Sequence, residues 1–390
     1  MSPKFRRIAS LAIAVVSLVV SARRAHAQQH DHAHMNMAAG QGWQFMDDGV
    51  VFAMFNHQSG PRGGDEFVAP DWWMLMATRN TGHGLFTLTG MYSLDPALVG
   101  AHGYRELFQA GEVFEGAPLV DRQHPHDFFM QMAASWRMDL TASTHLTLTG
   151  APVGAPALGP IPYMHRASSF DNPMTPLTHH LFDSTHISFG VATASLERGP
   201  WTLEGSVFNA REPDEHRWDF DFGPMDAVSG RLWFKPTPEW ALQISTGHLV
   251  SPEALEPGDI QRTTATVSWT RVSGSDVESV TAGYGRNGAT RDLPRQGAFV
   301  EGARHAGANS IYGRIEVLQL DHAIADVSIG AFTVGGVRDI LSRHGLEGGI
   351  GAGITLYATP ELLTPSYGTR LASWQLFFRL RPARHMVNMQ

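Results

Sequence analysis

Along most of the chain, bulky apolar side chains alternate with small or polar ones. Trp201, Leu203 and Val207 share one face of their segment, while the even-numbered residues between them are polar. The segments 240–245 and 266–270 repeat the pattern. Successive side chains of a β-strand point to opposite faces, so a period of two indicates strands with one apolar face. The pattern therefore predicts an all-β fold.

Two all-β architectures share this pattern: a water-soluble sandwich or barrel, and a transmembrane barrel with a polar lumen. The candidate strands run about 10–13 residues, close to the ~9–11 that a strand needs to cross a bilayer. Tryptophans also cluster near the ends of these strands, as in the aromatic girdles of membrane barrels. They are Trp72, Trp73, Trp136, Trp201, Trp240 and Trp374. Both features favour the transmembrane barrel.

Short and long connections alternate along the chain. The short turn 139–144, for example, lies between the long segments 95–126 and 151–183. This alternation places short turns on the periplasmic side and long loops on the extracellular side. We therefore predict a single antiparallel transmembrane β-barrel over residues 43–380, with about sixteen strands (12–16) and long extracellular loops. Within the first long loop, 103–112 has the composition of a short helix.

The N-terminus has a basic start, an apolar run over Ile8–Val20 and a small-x-small cleavage motif. This order is typical of a secretory signal peptide, so we expect residues 1–27 to be removed during export through the inner membrane to the bacterial outer membrane. Residues 28–42 then form a disordered leader rich in His and Met, and residues 381–390 form a C-terminal tail.

The composition excludes several functions. The chain has no cysteine, which removes disulfide frameworks, thiolate metal sites and cysteine nucleophiles. Its net charge of −8 argues against nucleic acid as a partner, because phosphate binding needs basic surfaces. Outer-membrane lipid and metal ions remain as expected partners, and the oligomeric state is open.

Histidines flank the predicted cleavage point. The leader holds His30, His32 and His34 beside Met35 and Met37. Imidazoles with thioethers suit copper, and imidazoles alone suit zinc or nickel, so we expect weak metal capture by the leader. The alternative is a leader that is merely polar.

A second group of histidines and carboxylates occupies the predicted loops. The segment DRQHPHD over 121–127 places two imidazoles and a carboxylate within four residues, and the proline stiffens the pair. The candidate ligands here are His124, His126, Asp127, His165, His179, His180, Asp183 and His186. Neutral imidazole with carboxylate is a ligand set for zinc, copper or non-haem iron. A metal site and a hydrogen-bonded loop plug that shapes the pore are both open.

The phase of two predicted strands gives these groups a common location. The side chains assigned to the lipid face are Phe128, Met130, Met132, Ile187, Phe189 and Val191. This phase points Asp127 of the predicted strand 127–138 and His186 of the predicted strand 183–196 into the lumen. Both are expected at the same end of the interior, beneath the loops.

Five blocks carry a resemblance to a known family. They are DRQHPHD (121–127), ALGPIPYMHR (157–166), HHLFDSTH (179–186), FNAREPDE (208–215) and SPEALEP (251–257). Through them, over roughly residues 43–380, the chain resembles a family of bacterial outer-membrane-type β-barrels with His-Pro-His-Asp and Met-His-Arg blocks that is associated with heavy-metal and copper handling. The resemblance implies a metal-linked barrel and no particular reaction.

A shorter stretch, FNHQSG over 55–60, is similar to the His-x-Ser stretch of outer-membrane phospholipase A. That resemblance implies a serine nucleophile, Ser59, with His57 as its base, although Pro61 interrupts the family's pattern. The leading hypothesis is nevertheless a barrel that binds or passes a transition metal, copper in preference to zinc, in metal homeostasis or resistance. The alternatives are a general porin-like channel with a His-rich loop plug and a barrel-embedded phospholipase-type hydrolase. An enzyme is the less favoured class.

Overall fold

The computed structural model of the protein describes residues 42–256, 258–289, 294–321 and 323–383. The predicted signal peptide, the leader with its histidines and the end of the predicted tail lie outside the described residues. None of the helices in these ranges is long and apolar enough to cross a membrane.

Across the described residues, sixteen strands close into one antiparallel β-barrel, which confirms the predicted fold. The strands of the structure are β1 (Gln44–Gln58), β2 (Gly64–Val68), β3 (Asp71–Asn80), β4 (Gly84–Tyr92), β5 (Tyr104–Phe114), β6 (Ala117–Gln123), β7 (Phe129–Thr141), β8 (Thr144–Gly154), β9 (Ser188–Arg198), β10 (Trp201–Phe208), β11 (Ala227–Thr237), β12 (Trp240–Leu249), β13 (Ile260–Ser273), β14 (Asp276–Ala289), β15 (Arg295–Ala306), β16 (Asn309–Gln319), β17 (Ser328–Arg343), β18 (Leu346–Ala358) and β19 (Ala372–Pro382). The short helices are Asp95–Leu98, Tyr163–His165, His179–Phe182, Ser184–His186, Glu361–Leu363 and Thr364–Tyr367.

The structure has nineteen strands among the described residues, but the barrel wall has sixteen strand positions, here called staves, for two reasons. Strands β2 and β3 both pair with β1 and together form one stave, interrupted at Ala69 and Pro70. Strands β5 and β6 form a separate hairpin within the loop between β4 and β7. The barrel closes where β19 pairs with β1 over Val51–His57.

The short turns fall where the sequence predicts them. Residues 142 and 143 join β7 to β8, inside the predicted turn 139–144. Gly274 and Gly307 open two other tight turns with φ of +60° and +56°, a conformation that glycine adopts at no steric cost. Such turns match the twist of the strands they join, so these glycines help to fix the register of the hairpins.

The outer face of the barrel is apolar and the lumen face is polar. Leu203 and Ile244 are 57% and 54% exposed on the outside, whereas the neighbouring Gln243 and Ser245 are buried inside. Among the predicted girdle residues, Trp136 and Trp201 are exposed near the short-turn ends of their strands. The prediction for Trp72 is wrong, because its side chain is buried.

Three other local predictions are wrong. Residues 103–112 belong mostly to strand β5 and not to a helix, and residues 183–187 precede β9 as a short helical segment. Ile187, Phe189 and Val191, which were assigned to lipid, are buried in apolar clusters. Met130 is also fully buried, because a register shift at Met91 and Tyr92 turns it away from the outer face.

Candidate functional site

Residues 155–187, here called the inner loop, fold back into the barrel. The Ala157 N–H donates to Ser206 Oγ at 2.7 Å, and the Gly159 N–H donates to Ser245 Oγ at 2.8 Å. On another part of the wall, the Thr178 hydroxyl donates to a Glu316 carboxylate oxygen at 2.9 Å. Because these acceptors belong to β10, β12 and β16, the inner loop crosses the lumen instead of lying along one side.

Buried ion pairs hold the middle of the inner loop to the wall. Arg166 contacts Glu301 at 2.6 Å and Asp183 at 2.8 Å, and Arg314 contacts the same Glu301 at 3.1 Å. Asp171 of the inner loop pairs in the same way with arginines of β19. Removing one partner of such a buried pair leaves an uncompensated charge, so this network fixes the loop position strongly.

Small residues of the wall make room for the helix His179–Phe182. A Cβ atom on Gly285 would lie 2.8 Å from the Leu181 carbonyl oxygen and 2.9 Å from the Phe182 ring. A Cβ atom on Gly297 would lie 2.8 Å from the Leu181 side chain. The barrel wall and the inner loop are therefore complementary in shape at this point.

Five histidines that the sequence separates by up to 62 positions meet in one cluster, here called the histidine cluster, and four of them are buried. Its members are His124, His126, His179, His180 and His186. The ring centres of His179 and His186 are 5.3 Å apart, those of His126 and His186 5.7 Å, and those of His124 and His180 5.4 Å. The structure thus brings together the predicted loop histidines with one exception, His165.

Three rings of the cluster are oriented by fixed acceptors. The Nδ1 atom of His126 lies 2.9 Å from Asp95 Oδ2, and that of His179 lies 2.7 Å from Asp183 Oδ1. The Nδ1 atom of His186 lies 2.8 Å from the backbone carbonyl of Asp183. A carbonyl or carboxylate oxygen accepts, so each Nδ1 carries the proton and each Nε2 keeps its lone pair.

Burial keeps four of the five imidazoles neutral. Burial lowers the pKa of His179 to about 4 and that of His186 to about 3, and it lowers the pKa of His124 and of His180 as well. Burial opposes ionisation of Asp183, but its hydrogen bond from His179 and its pair with an arginine hold the pKa of that carboxyl below its usual range. At neutral pH these four imidazoles are therefore uncharged, and they lie beside an ionised carboxylate.

The remaining predicted ligands have other contacts. His124 Nε2 lies 3.3 Å from Glu112, and His180 Nδ1 lies 3.6 Å from Glu212. Asp127 pairs with a buried arginine, Arg217, at 3.4 Å. His165 packs edge-on against Trp72 at 4.4 Å between ring centres, so its ring contacts the apolar core of the lumen.

His57 and Ser59 lie near the loop end of β1. His57 Nδ1 is 2.5 Å from Asp65, and its ring stacks on Trp374. The Ser59 hydroxyl accepts from the Ala372 N–H at 2.8 Å. No hydrogen bond joins His57 to Ser59 among the described residues, and the hydrolase stays an untested prediction.

Sequence reasoning missed the residues that orient the cluster. Asp95 and Glu112 precede the His-Pro-His-Asp block in a loop with no recognisable motif, and Arg217 lies in the loop after β10. Their contacts with the block bridge 12 to 90 positions of chain. The one signal in the sequence that could have identified them is a charged residue within a loop that also contains many apolar residues.

A closed antiparallel barrel with a loop folded into its lumen is the architecture of porin-type proteins. The structure is similar to OprB from Pseudomonas putida (TM-score 0.54, 8% identity, 88% of this chain and 94% of that chain), to an anion-selective porin from Comamonas acidovorans (0.53, 10%, 87% and 100%) and to OmpF from Salmonella typhi (0.52, 8%, 89% and 100%). No protein-family model and no curated protein matches the chain. At these identities the likeness shows the fold.

Proposed function

We propose that the protein is an outer-membrane channel of porin type, in which the inner loop restricts the passage of small polar solutes. The apolar outer face fits a lipid bilayer, and the polar inner face fits a water-filled route. The porin-like fold supports this channel more directly than it supports metal transport.

The observation that carries the proposal is the polar contact between the inner loop and opposite parts of the wall. Ser206 and Glu316 lie on strands β10 and β16, and both bind the loop. Fixed charges such as Arg314 and Glu301 line the same region, where charged groups set the selectivity of a pore.

A disulfide lock tests this directly, because the chain contains no cysteine. Ser168 of the inner loop and Thr281 of the wall have hydroxyl oxygens 2.8 Å apart, so the pair Ser168→Cys and Thr281→Cys can link loop to wall. The matched control is Thr270→Cys with Ser279→Cys, which links two adjacent wall strands whose hydroxyl oxygens are also 2.8 Å apart.

The measurement is single-channel conductance in planar bilayers with EDTA present. We expect the oxidised lock to suppress openings that return on reduction, while the control pair conducts alike in both states. A variant with residues 160–175 replaced by a short Gly-Ser linker should conduct severalfold more than the wild type. If that variant migrates as a folded, heat-modifiable barrel and still shows no conductance, the protein is not a channel.

A further inference from the structure

The histidine cluster contains buried nitrogen atoms that no group in the described part of the chain contacts by a hydrogen bond. The Nε2 atoms of His126, His179, His180 and His186 have no hydrogen-bond partner among the described residues. Buried polar atoms in native proteins are nearly always bonded to protein or to ordered water. Four such atoms in one cluster therefore indicate that a ligand belongs there.

The orientation of three of these rings suits a metal ion. His126, His179 and His186 each direct the Nδ1 proton to an aspartate carboxylate or carbonyl, as metal-binding histidines commonly do. This arrangement fixes the tautomer and leaves Nε2 as a donor of its lone pair. Asp95 and Asp183 therefore accept the Nδ1 protons, as the residues that orient metal-binding histidines do.

Two of the three separations between these rings also suit a metal ion. Around a tetrahedral ion with Nε2 at about 2.1 Å, imidazole ring centres lie about 5 Å apart. The ring centres of His179 and His186 are 5.3 Å apart, and those of His126 and His186 are 5.7 Å apart. Both separations are close to the tetrahedral value.

Binding one ion requires the rings to rotate toward a common centre. Among the described residues, a group of three ligand atoms that all lie within 4.8 Å of one another belongs to Asp214, Asp219 and Asp221, two of which are exposed. No three imidazole nitrogens of the described histidines lie that close together. Rings held at Nδ1 can pivot on that hydrogen bond and bring Nε2 closer to a common centre. That acidic cluster carries no proposal.

We propose that His126, His179 and His186 bind one divalent transition-metal ion, zinc or copper, through their Nε2 atoms inside the lumen. His180, whose ring centre is 5.3 Å from that of His179, is placed to supply a fourth nitrogen. Imidazole donors suit both ions, and the absence of cysteine from the chain removes competing thiolates. This site goes beyond the proposed channel and does not depend on conduction.

The experiment measures metal content of the full-length protein. The substitutions His30→Ala, His32→Ala and His34→Ala remove the imidazole ligands of the leader. After loading with Zn²⁺ or Cu²⁺ alone and desalting, elemental analysis should find about one ion per chain. Parallel loading with each metal decides between zinc and copper.

Single substitutions His126→Ala, His179→Ala and His186→Ala should each remove most of the bound metal. The matched controls are His145→Ala, on the short-turn side of the barrel, and His165→Ala, beside Trp72; both should keep it. Metal-free wild type, or equal loss in the controls, would overturn the proposal. Channel recordings in EDTA test the proposed channel separately. A negative result for the metal site therefore does not contradict the channel, and a negative result for the channel does not contradict the metal site.

A spectroscopic readout guards against variants that fail to fold. The Cu²⁺-loaded protein with the three leader substitutions should show electron paramagnetic resonance splitting from several equivalent imidazole nitrogens. Hydrogen exchange at 179–187 should also slow on loading, because a bound ion draws the rings together. A spectrum with a single nitrogen or none would rule out a site built from these rings.

Discussion

Adding one methyl group at Gly285 tests the seating of the inner loop. In Gly285→Ala, the new Cβ would lie 2.8 Å from the Leu181 carbonyl oxygen and 2.9 Å from the Phe182 ring. Overpacking of this kind costs about 1–3 kcal/mol. Since a change of 1–3 kcal/mol shifts an equilibrium about 5- to 150-fold, the displaced form of the loop should become more populated by that factor.

The assay is hydrogen exchange followed by mass spectrometry on peptides that cover 176–187. Exchange should accelerate by the same factor, because opening of the loop governs the exchange of its amides. Gly150→Ala is the matched control, since a Cβ there meets nothing within 4 Å. Unchanged exchange in Gly285→Ala would show that the inner loop is not seated on this wall.

Three further outcomes follow from the fold. Leu203→Arg should lower the free energy of unfolding by about 2–4 kcal/mol in lipid vesicles. An unchanged urea midpoint would show that this side chain does not contact the bilayer. Glu301→Gln should cost about 3–5 kcal/mol by the same assay, because two buried arginines share that carboxylate, and a neutral result would contradict the network. Burial raises the pKa of Glu212 to about 7 and that of Glu253 to about 8. The folded state thus retains protons that the unfolded chain releases above about pH 4.3. These two carboxyls therefore stabilise the folded state fully below about pH 4.3, and that contribution is lost progressively as the pH rises from there through 7–8. Glu253→Gln should flatten that pH dependence of the urea midpoint.

The barrel could be predicted from the sequence because alternation and turn residues act locally. Leu203 and Ile244 face lipid as expected, and the turns at Gly274 and Gly307 follow directly from glycine's conformational freedom. These features need no knowledge of distant contacts. Strand number and the inside–outside pattern therefore emerge from short windows of sequence.

The content of the lumen could not be predicted in this way. Trp72, Met130 and Phe189 are apolar yet point away from lipid, because the inner loop builds an apolar core inside the barrel. Alternation assigns such residues to the wrong face wherever a loop fills the lumen. Equally, spacing along the chain does not show that His165 faces Trp72 while His179 joins the cluster.

Closure of the sheet depends on residues from opposite ends of the described chain. Strand β1 meets β19 only over Val51–His57, the shortest ladder between neighbouring staves in the described residues, whereas β13 and β14 pair over the whole of Ile260–Ser273. The β1–β19 ladder joins the residues furthest apart in sequence, so these two strands can pair only after the intervening staves have assembled. Until then the growing sheet has two unpaired edges, which makes an unfinished barrel a template for pairing with other chains.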